Sequence, residues 1–198
     1  QIRALCAPVQ TRPVGGVHIR HGDYTLTDAS TYRIDGVEWP AVPTWWYERT
    51  MAAIAKLQKD VCFFLSRTGD PGAYAVLHQN FDVLTLDVDS PYHYKGPDHE
   101  SRVNPVADLF ALACCPVMLA TPISGYSHWA ANVLGAATTC IVPLPGATRE
   151  QPLNGVVNLY GSRLPRWRAA GRNGTDTTPV SDAFEGVDLT RSAHTGWL

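Results

Sequence analysis

Residues 14–24 read Val14-Gly15-Gly16-Val17-His18-Ile19-Arg20-His21-Gly22-Asp23-Tyr24, a short apolar run ending in two histidines, an arginine and an aspartate. Val14 to Arg20 predicts a strand with polar chemistry gathered at its carboxyl end. In extended backbone His18 and Arg20 fall on one side and His21 on the other. That spacing does not converge on a metal, and Asp23 is better placed for a turn, so no metal site is expected. Gly22 allows a ligand to approach the backbone closely. Arginine's planar fork suits phosphate oxygens, which makes Arg20 a candidate anion ligand. The plain alternative is that His18 closes a strand end while Arg20 pairs with a carboxylate.

The residues downstream decide what kind of sheet this strand joins. Trp46 to Lys59 predicts a helix, with Tyr47, Met51, Ile54 and Leu57 on one face. Val61 to Leu65 (VCFFL) is a second strand, apolar without alternation. Asp70 and Pro71 open a short helix to Leu77, and Val83 to Leu86 is a third strand. Asn104 and Pro105 start a helix reaching about Cys114, Val117 to Ala120 is a fourth strand, and Ser127 to Leu134 is a helix closed by Gly135. Thr139 to Val142 is a fifth strand. Strand and helix alternate, and the strands are apolar on both faces, so the expectation is an α/β fold: about five parallel strands with helices on both faces. Residues 1–150 form that domain and residues 151–198 an irregular tail. Two polar loops interrupt the pattern, at residues 22–44 and 89–102, and loops of such length tend to carry function. In a parallel sheet, ligands bind outside the carboxyl ends of the strands, where residues 18–23 lie.

Composition narrows the partners. The 198 residues carry 16 basic and 18 acidic side chains, so no general attraction to nucleic acid or to anionic membrane is expected. No apolar run nears the roughly 20 residues that span a bilayer. The chain opens on Gln1, which raises the expectation of a processed product or a fragment with further sequence upstream. The cysteines (Cys6, Cys62, Cys114, Cys115 and Cys140) are odd in number, and mostly sit in apolar runs, so buried free thiols are expected over a disulfide framework. That points towards a reducing, cytoplasmic setting, with the Golgi lumen as the alternative if an anchor precedes Gln1. Asn173-Gly174-Thr175 is a glycosylation triplet of a kind common by chance.

A second constellation runs from Asn104 to Gly135. Asp108 lies in the first turn of one helix; Ser124 and Gly125 follow the fourth strand, and Ser127 opens the next helix. Strand, Ser/Gly loop and helix start together make a place where backbone N–H groups and hydroxyls can hold phosphate. Ser127 taken alone reads more simply as an N-cap.

With both constellations in view, the chain resembles the fucosyltransferases: the α1,2-, α1,6- and protein O-fucosyltransferase families. His18-x-Arg20-x-Gly22-Asp23 is similar to their first motif, with Tyr24 continuing the look of the α1,2 branch. The stretch FFLSRTGDP (63–71) resembles the second, with Asp70 matching and the preceding acid missing. The stretch ADLFALACCPVMLATPISGYSHWAANVL resembles the third, where Ser124, Ser127, Trp129 and Ala131 match while Ile123, Tyr126 and His128 depart. The resemblance covers about residues 14–143 in order. It implies the Rossmann-like, donor-binding C-terminal half of a GT-B glycosyltransferase, with GDP-fucose as donor substrate, no cofactor and no metal. It implies Arg20 on the β-phosphate as the catalytic electrostatic group, His18 and Gly22 beside it, and Asp70 near the guanine. Asp108, Ser124, Gly125 and Ser127 would contact nucleotide or phosphates, and Asp28 matches the position of an acid suited to deprotonating a glycan or protein acceptor hydroxyl. The acceptor-binding half would come from a partner chain or a missing N-terminal domain.

Two other readings stand beside it. One is a metal-dependent transferase built on Asp87-x-Asp89 after the third strand. The other is a non-catalytic nucleotide-sugar-binding or assembly module.

Overall fold

The structure is a computed structural model that describes residues 12–20, 33–34, 37–38, 42–68, 71–86, 92–93, 100–101, 105–121, 124–135, 139–144, 146–151, 154–157 and 177–180. The elements, in order, are β1 (Val14–Ile19), β2 (Arg33–Ile34), β3 (Val37–Glu38), α1 (Thr44–Leu57), β4 (Cys62–Arg67), a 3-10 turn (Pro71–Tyr74), α2 (Ala75–Asn80) and β5 (Val83–Leu84). There follow β6 (Tyr92–His93), β7 (Glu100–Ser101), α3 (Pro105–Ala113), β8 (Val117–Leu119) and α4 (Gly125–His128), which runs into a π-helical segment (Trp129–Leu134). β9 (Thr139–Pro143), β10 (Asn154–Val157) and β11 (Thr177–Val180) complete the order.

The main sheet has the order β11-β10-β9-β8-β1-β4-β5. From β9 to β5 every pairing is parallel. Counted along the chain, the parallel strands stand in the order 3-2-1-4-5, the Rossmann-like doubly wound arrangement. The chain starts at the centre with β1, winds outward through β4 and β5, then crosses back to lay β8 and β9 on the other side of β1. The order therefore reverses between β1 and β8.

Every residue of β1 and β8 is buried, which is why these strands carry no polar alternation. One face packs Val17, Ile19, Phe63, Leu65, Val117, Leu119 and Ile141 against Trp46, Tyr47, Met51 and Ile54 of α1. The other packs Cys62, Phe64, Met118, Cys140 and Val142 against Ala111 and Leu112 of α3 and Ala130 and Ala131 of the π segment. Gly16 faces this second layer: a β-carbon there would sit 3.1 Å from Leu112 Cδ2 and 3.2 Å from Cys115 Cβ. Its bare backbone lets the end of α3 approach the central strand.

Several expectations are corrected. The apolar face of α1 includes Trp46, whereas Leu57 is 50% exposed at the helix end. Pro71 opens a 3-10 turn, and α-helix begins only at Ala75. The tail is not wholly irregular: β10 pairs antiparallel with β9 and β11 with β10. Backbone pairing supplies this order, together with a buried bond from Trp46 Nε1 to Asn154 Oδ1 at 2.6 Å, and neither leaves a periodic trace. Cys62, Cys115 and Cys140 are buried free thiols as expected, but Cys114 is disulfide-bonded. Cys6 lies outside the described residues, and the disulfide removes the basis for expecting a reducing compartment.

Candidate functional site

The site is built where β1 and β8 part. Their pairing ends at Val17↔Leu119, while β1 stays paired with β4 as far as Ile19↔Arg67. Thr68 N donates to Ile19 O on the β4 side. The flanking backbone groups, His18 O and Arg20 N, have left the β8 ladder, and one side chain collects both. Thr121, two residues past β8 and fully buried, donates its hydroxyl to His18 O at 2.9 Å and accepts from Arg20 N at 2.9 Å. Tyr47 of α1 places its hydroxyl 3.3 Å from the same oxygen and 3.5 Å from His18 O, and burial pushes its phenol well above the usual range, so it stays neutral.

Beneath this lies a second buried cluster. His18 is 4% exposed, and its Nδ1 is 2.6 Å from Ser127 Oγ. Burial pushes the imidazole down to about 3, and the neighbouring Arg20 charge adds to the effect, so His18 is uncharged at neutral pH. Tyr126 lies over the ring with centroids 4.8 Å apart, and its hydroxyl donates to Pro105 O at the start of α3. Ser66, which sits opposite His18 in the β1–β4 register, hydrogen-bonds Asp108 in the first turn of α3. Burial raises the Asp108 carboxyl to about 6, against the pull of that bond. α4 begins with Ser124 as its N-cap, whose Oγ accepts from Ser127 N at 3.4 Å.

The predicted residues divide accordingly. Arg20, His18, Asp108, Ser124, Gly125 and Ser127 belong to elements that meet at the carboxyl edge of β1 and β8. Gly22, Asp28 and Asp70 lie outside the described residues, as do His21, Asp23, Asp87, Asp89 and the Asn173 triplet. Ser127 is not the N-cap; Ser124 takes that place, and the Ser127 hydroxyl turns inward to His18. Ser127 has 0% exposure, so the Ser–His pair presents no nucleophile to a substrate and instead fixes the imidazole. Sequence reading missed Thr121, Tyr47, Ser66 and Tyr126. A usable signal existed for Thr121 and Ser66, since both are hydroxyl residues at or just past the carboxyl end of an apolar parallel strand.

These elements give the edge a cation, Arg20, whose backbone N–H is held by Thr121, together with the neutral groups of His18, Ser127 and Tyr47 and the Asp108 carboxyl, which ionises above about pH 6. Such an arrangement can hold an anion and stabilise negative charge developing on it. Comparison with protein-family models, with curated proteins and with solved structures finds no match.

Proposed function

We propose that this crevice binds the diphosphate of a nucleotide-sugar and that the chain is the donor-binding unit of a fucosyltransferase-like glycosyltransferase. The reaction would move fucose from GDP-fucose to a glycan or protein hydroxyl by inverting displacement without a metal. One observation carries the reading: Arg20 after β1 and the Ser124–Ser127 turn after β8 occupy the same sheet edge, on either side of the point where strand order reverses. That is where doubly wound sheets place their ligands.

The chemistry follows from the charge. As the bond from the anomeric carbon to the β-phosphate oxygen breaks, negative charge grows on the leaving GDP. Arg20 meets it with a guanidinium whose backbone is already tied down. Neutral His18 adds polarity without a second charge to desolvate. The acceptor oxygen attacks the opposite face of the sugar as it loses its proton to a carboxylate, the role for which Asp28 is the candidate.

Calorimetry in EDTA with GDP, GDP-fucose, GDP-mannose and UDP-sugars tests the reading. The expected result is GDP binding that Arg20→Ala weakens about a hundredfold, the factor that corresponds to loss of one charged donor worth ~3 kcal/mol. Failure of the folded protein to bind any nucleoside diphosphate, or binding indifferent to Arg20→Ala, would overturn it. A requirement for manganese would favour the metal-dependent alternative, and GDP binding with neither transfer nor donor hydrolysis would make the chain a binding module.

A further inference from the structure

We propose that Thr121, supported by Tyr47, is a positioning residue for Arg20, its hydroxyl standing in for strand pairing that is missing at the switch point. The inference rests on the nucleotide-sugar reading for its functional consequence, but not for its geometry.

In a parallel ladder, alternate residues of a strand direct both backbone groups to the same neighbour. Ile19 faces β4, as its carbonyl bond from Thr68 N shows. His18 O and Arg20 N therefore face the β8 side, where the ladder has already ended at Val17. The ladder therefore supplies neither group with a β8 partner, beside the residue that bears the guanidinium, and backbone groups in such a place call for other partners. Thr121 Oγ1 takes both, each at 2.9 Å.

A hydroxyl has one proton and two lone pairs. Here the proton goes to His18 O and one lone pair to Arg20 N–H, while Tyr47 O–H lies 3.3 Å from the Thr121 oxygen and 3.5 Å from His18 O. Donation to His18 O sets the orientation of the Thr121 hydroxyl and leaves its lone pairs facing Arg20 N–H and the Tyr47 hydroxyl. Tyr47 reaches it from α1, and Thr121 itself follows β8. Elements from one face and from both sides of the switch point thus meet on one oxygen and fix the backbone from which Arg20 projects. A cation held in place before the ligand arrives needs no ordering when charge develops.

The test uses Thr121→Val, which keeps the β-branch and drops the hydroxyl, and Thr121→Ser, which keeps the hydroxyl. The first readout needs no ligand. Exchange of the Arg20 amide hydrogen, followed by NMR, should be slow in the wild type and in Thr121→Ser and at least tenfold faster in Thr121→Val. The second is GDP affinity in EDTA: at least tenfold weaker in Thr121→Val, within about threefold of wild type in Thr121→Ser. In an Arg20→Ala background, titrated at millimolar GDP, Thr121→Val should change affinity less than twofold. A purely structural role would lower affinity equally in both backgrounds.

Unchanged exchange at Arg20, unchanged affinity in Thr121→Val, or an equal loss in both backgrounds would overturn the proposal. If Thr121→Val does not fold, Tyr47→Phe carries the same test, with faster Arg20 exchange and a smaller loss of affinity expected. Should GDP fail to bind the wild type while the Arg20 amide responds to Thr121→Val, the nucleotide-sugar reading falls and the positioning role stands. Should Arg20→Ala abolish binding that Thr121→Val leaves intact, the reverse holds.

Discussion

Replacing Asp108 with asparagine should stabilise the protein at neutral pH and uncover an acid sensitivity that the wild type conceals. Asp108 is 3% exposed, and burial raises its carboxyl from 3.8 to about 6 while the Ser66 bond only partly offsets this. The folded state holds this proton more tightly than the unfolded state, so between those values it binds more protons and stability falls as pH rises. The shift is about two pH units, so the folded protein forgoes about 3 kcal/mol once Asp108 is fully ionised. His18 acts in the opposite sense. Its folded value is lowered from 6.5 to about 3, so the folded state binds fewer protons across that window and stability climbs with pH. Each slope is about 1.4 kcal/mol per pH unit, and between roughly pH 4 and 6 the two nearly cancel. Asp108→Asn leaves the His18 slope unopposed. Urea unfolding followed by tryptophan fluorescence at pH 4, 5, 6 and 7.5 reads both effects. The variant should match the wild type at pH 4 and exceed it by about 3 kcal/mol at pH 7.5. Parallel profiles for the two proteins would refute the buried-carboxylate reasoning. Under the proposed function, which assigns Asp108 to the nucleotide site, the same variant should also bind GDP more weakly.

Two further outcomes follow from packing and hydrogen bonding. Gly16→Ala places a methyl group 3.2 Å from Cys115 Cβ, which is tied to the backbone and cannot swing away as the Leu112 side chain can. A loss of about 1–3 kcal/mol and a thermal midpoint lower by several degrees are expected, and an unchanged midpoint would show that the end of α3 does not press on β1. Ser127→Ala strips the buried His18 Nδ1 of its 2.6 Å partner, for a loss of about 1–3 kcal/mol by urea unfolding. Stability equal to wild type would mean that the pair does not hold the imidazole.

The doubly wound core was legible because its causes are local. Val61 to Leu65 is apolar without alternation, and only a strand covered on both faces tolerates that, so the run already implies helices above and below. What was hidden depends on distant partners. Asn154 is an ordinary polar residue in sequence and becomes a buried acceptor only because Trp46 of α1 reaches β10. Leu57 fits the helical period of Met51 and Ile54, yet α1 ends there and no neighbour covers it enough to bury it. Cys114 and Cys115 are adjacent, but one is in a disulfide and the other is a free buried thiol, a difference that apolar context does not encode.

The site divides along the same line. A histidine and an arginine at the end of an apolar strand can be recognised within one segment, because the strand itself explains why they lie together. The rest of the site comes from the meeting of segments. His18 is fixed by Ser127 across 109 residues, and Arg20 by Thr121 across 101. Its place just past an apolar strand marks Thr121 as a candidate, but its partners show only when the β1–β8 ladder stops short and leaves two backbone groups facing its hydroxyl. The place where the sheet ceases to satisfy its own backbone is therefore where side chains must take over. In this chain that place adjoins Arg20, so the oxygen that meets the fold's demand for backbone partners is also the one that, under the proposed function, would hold the cation in place.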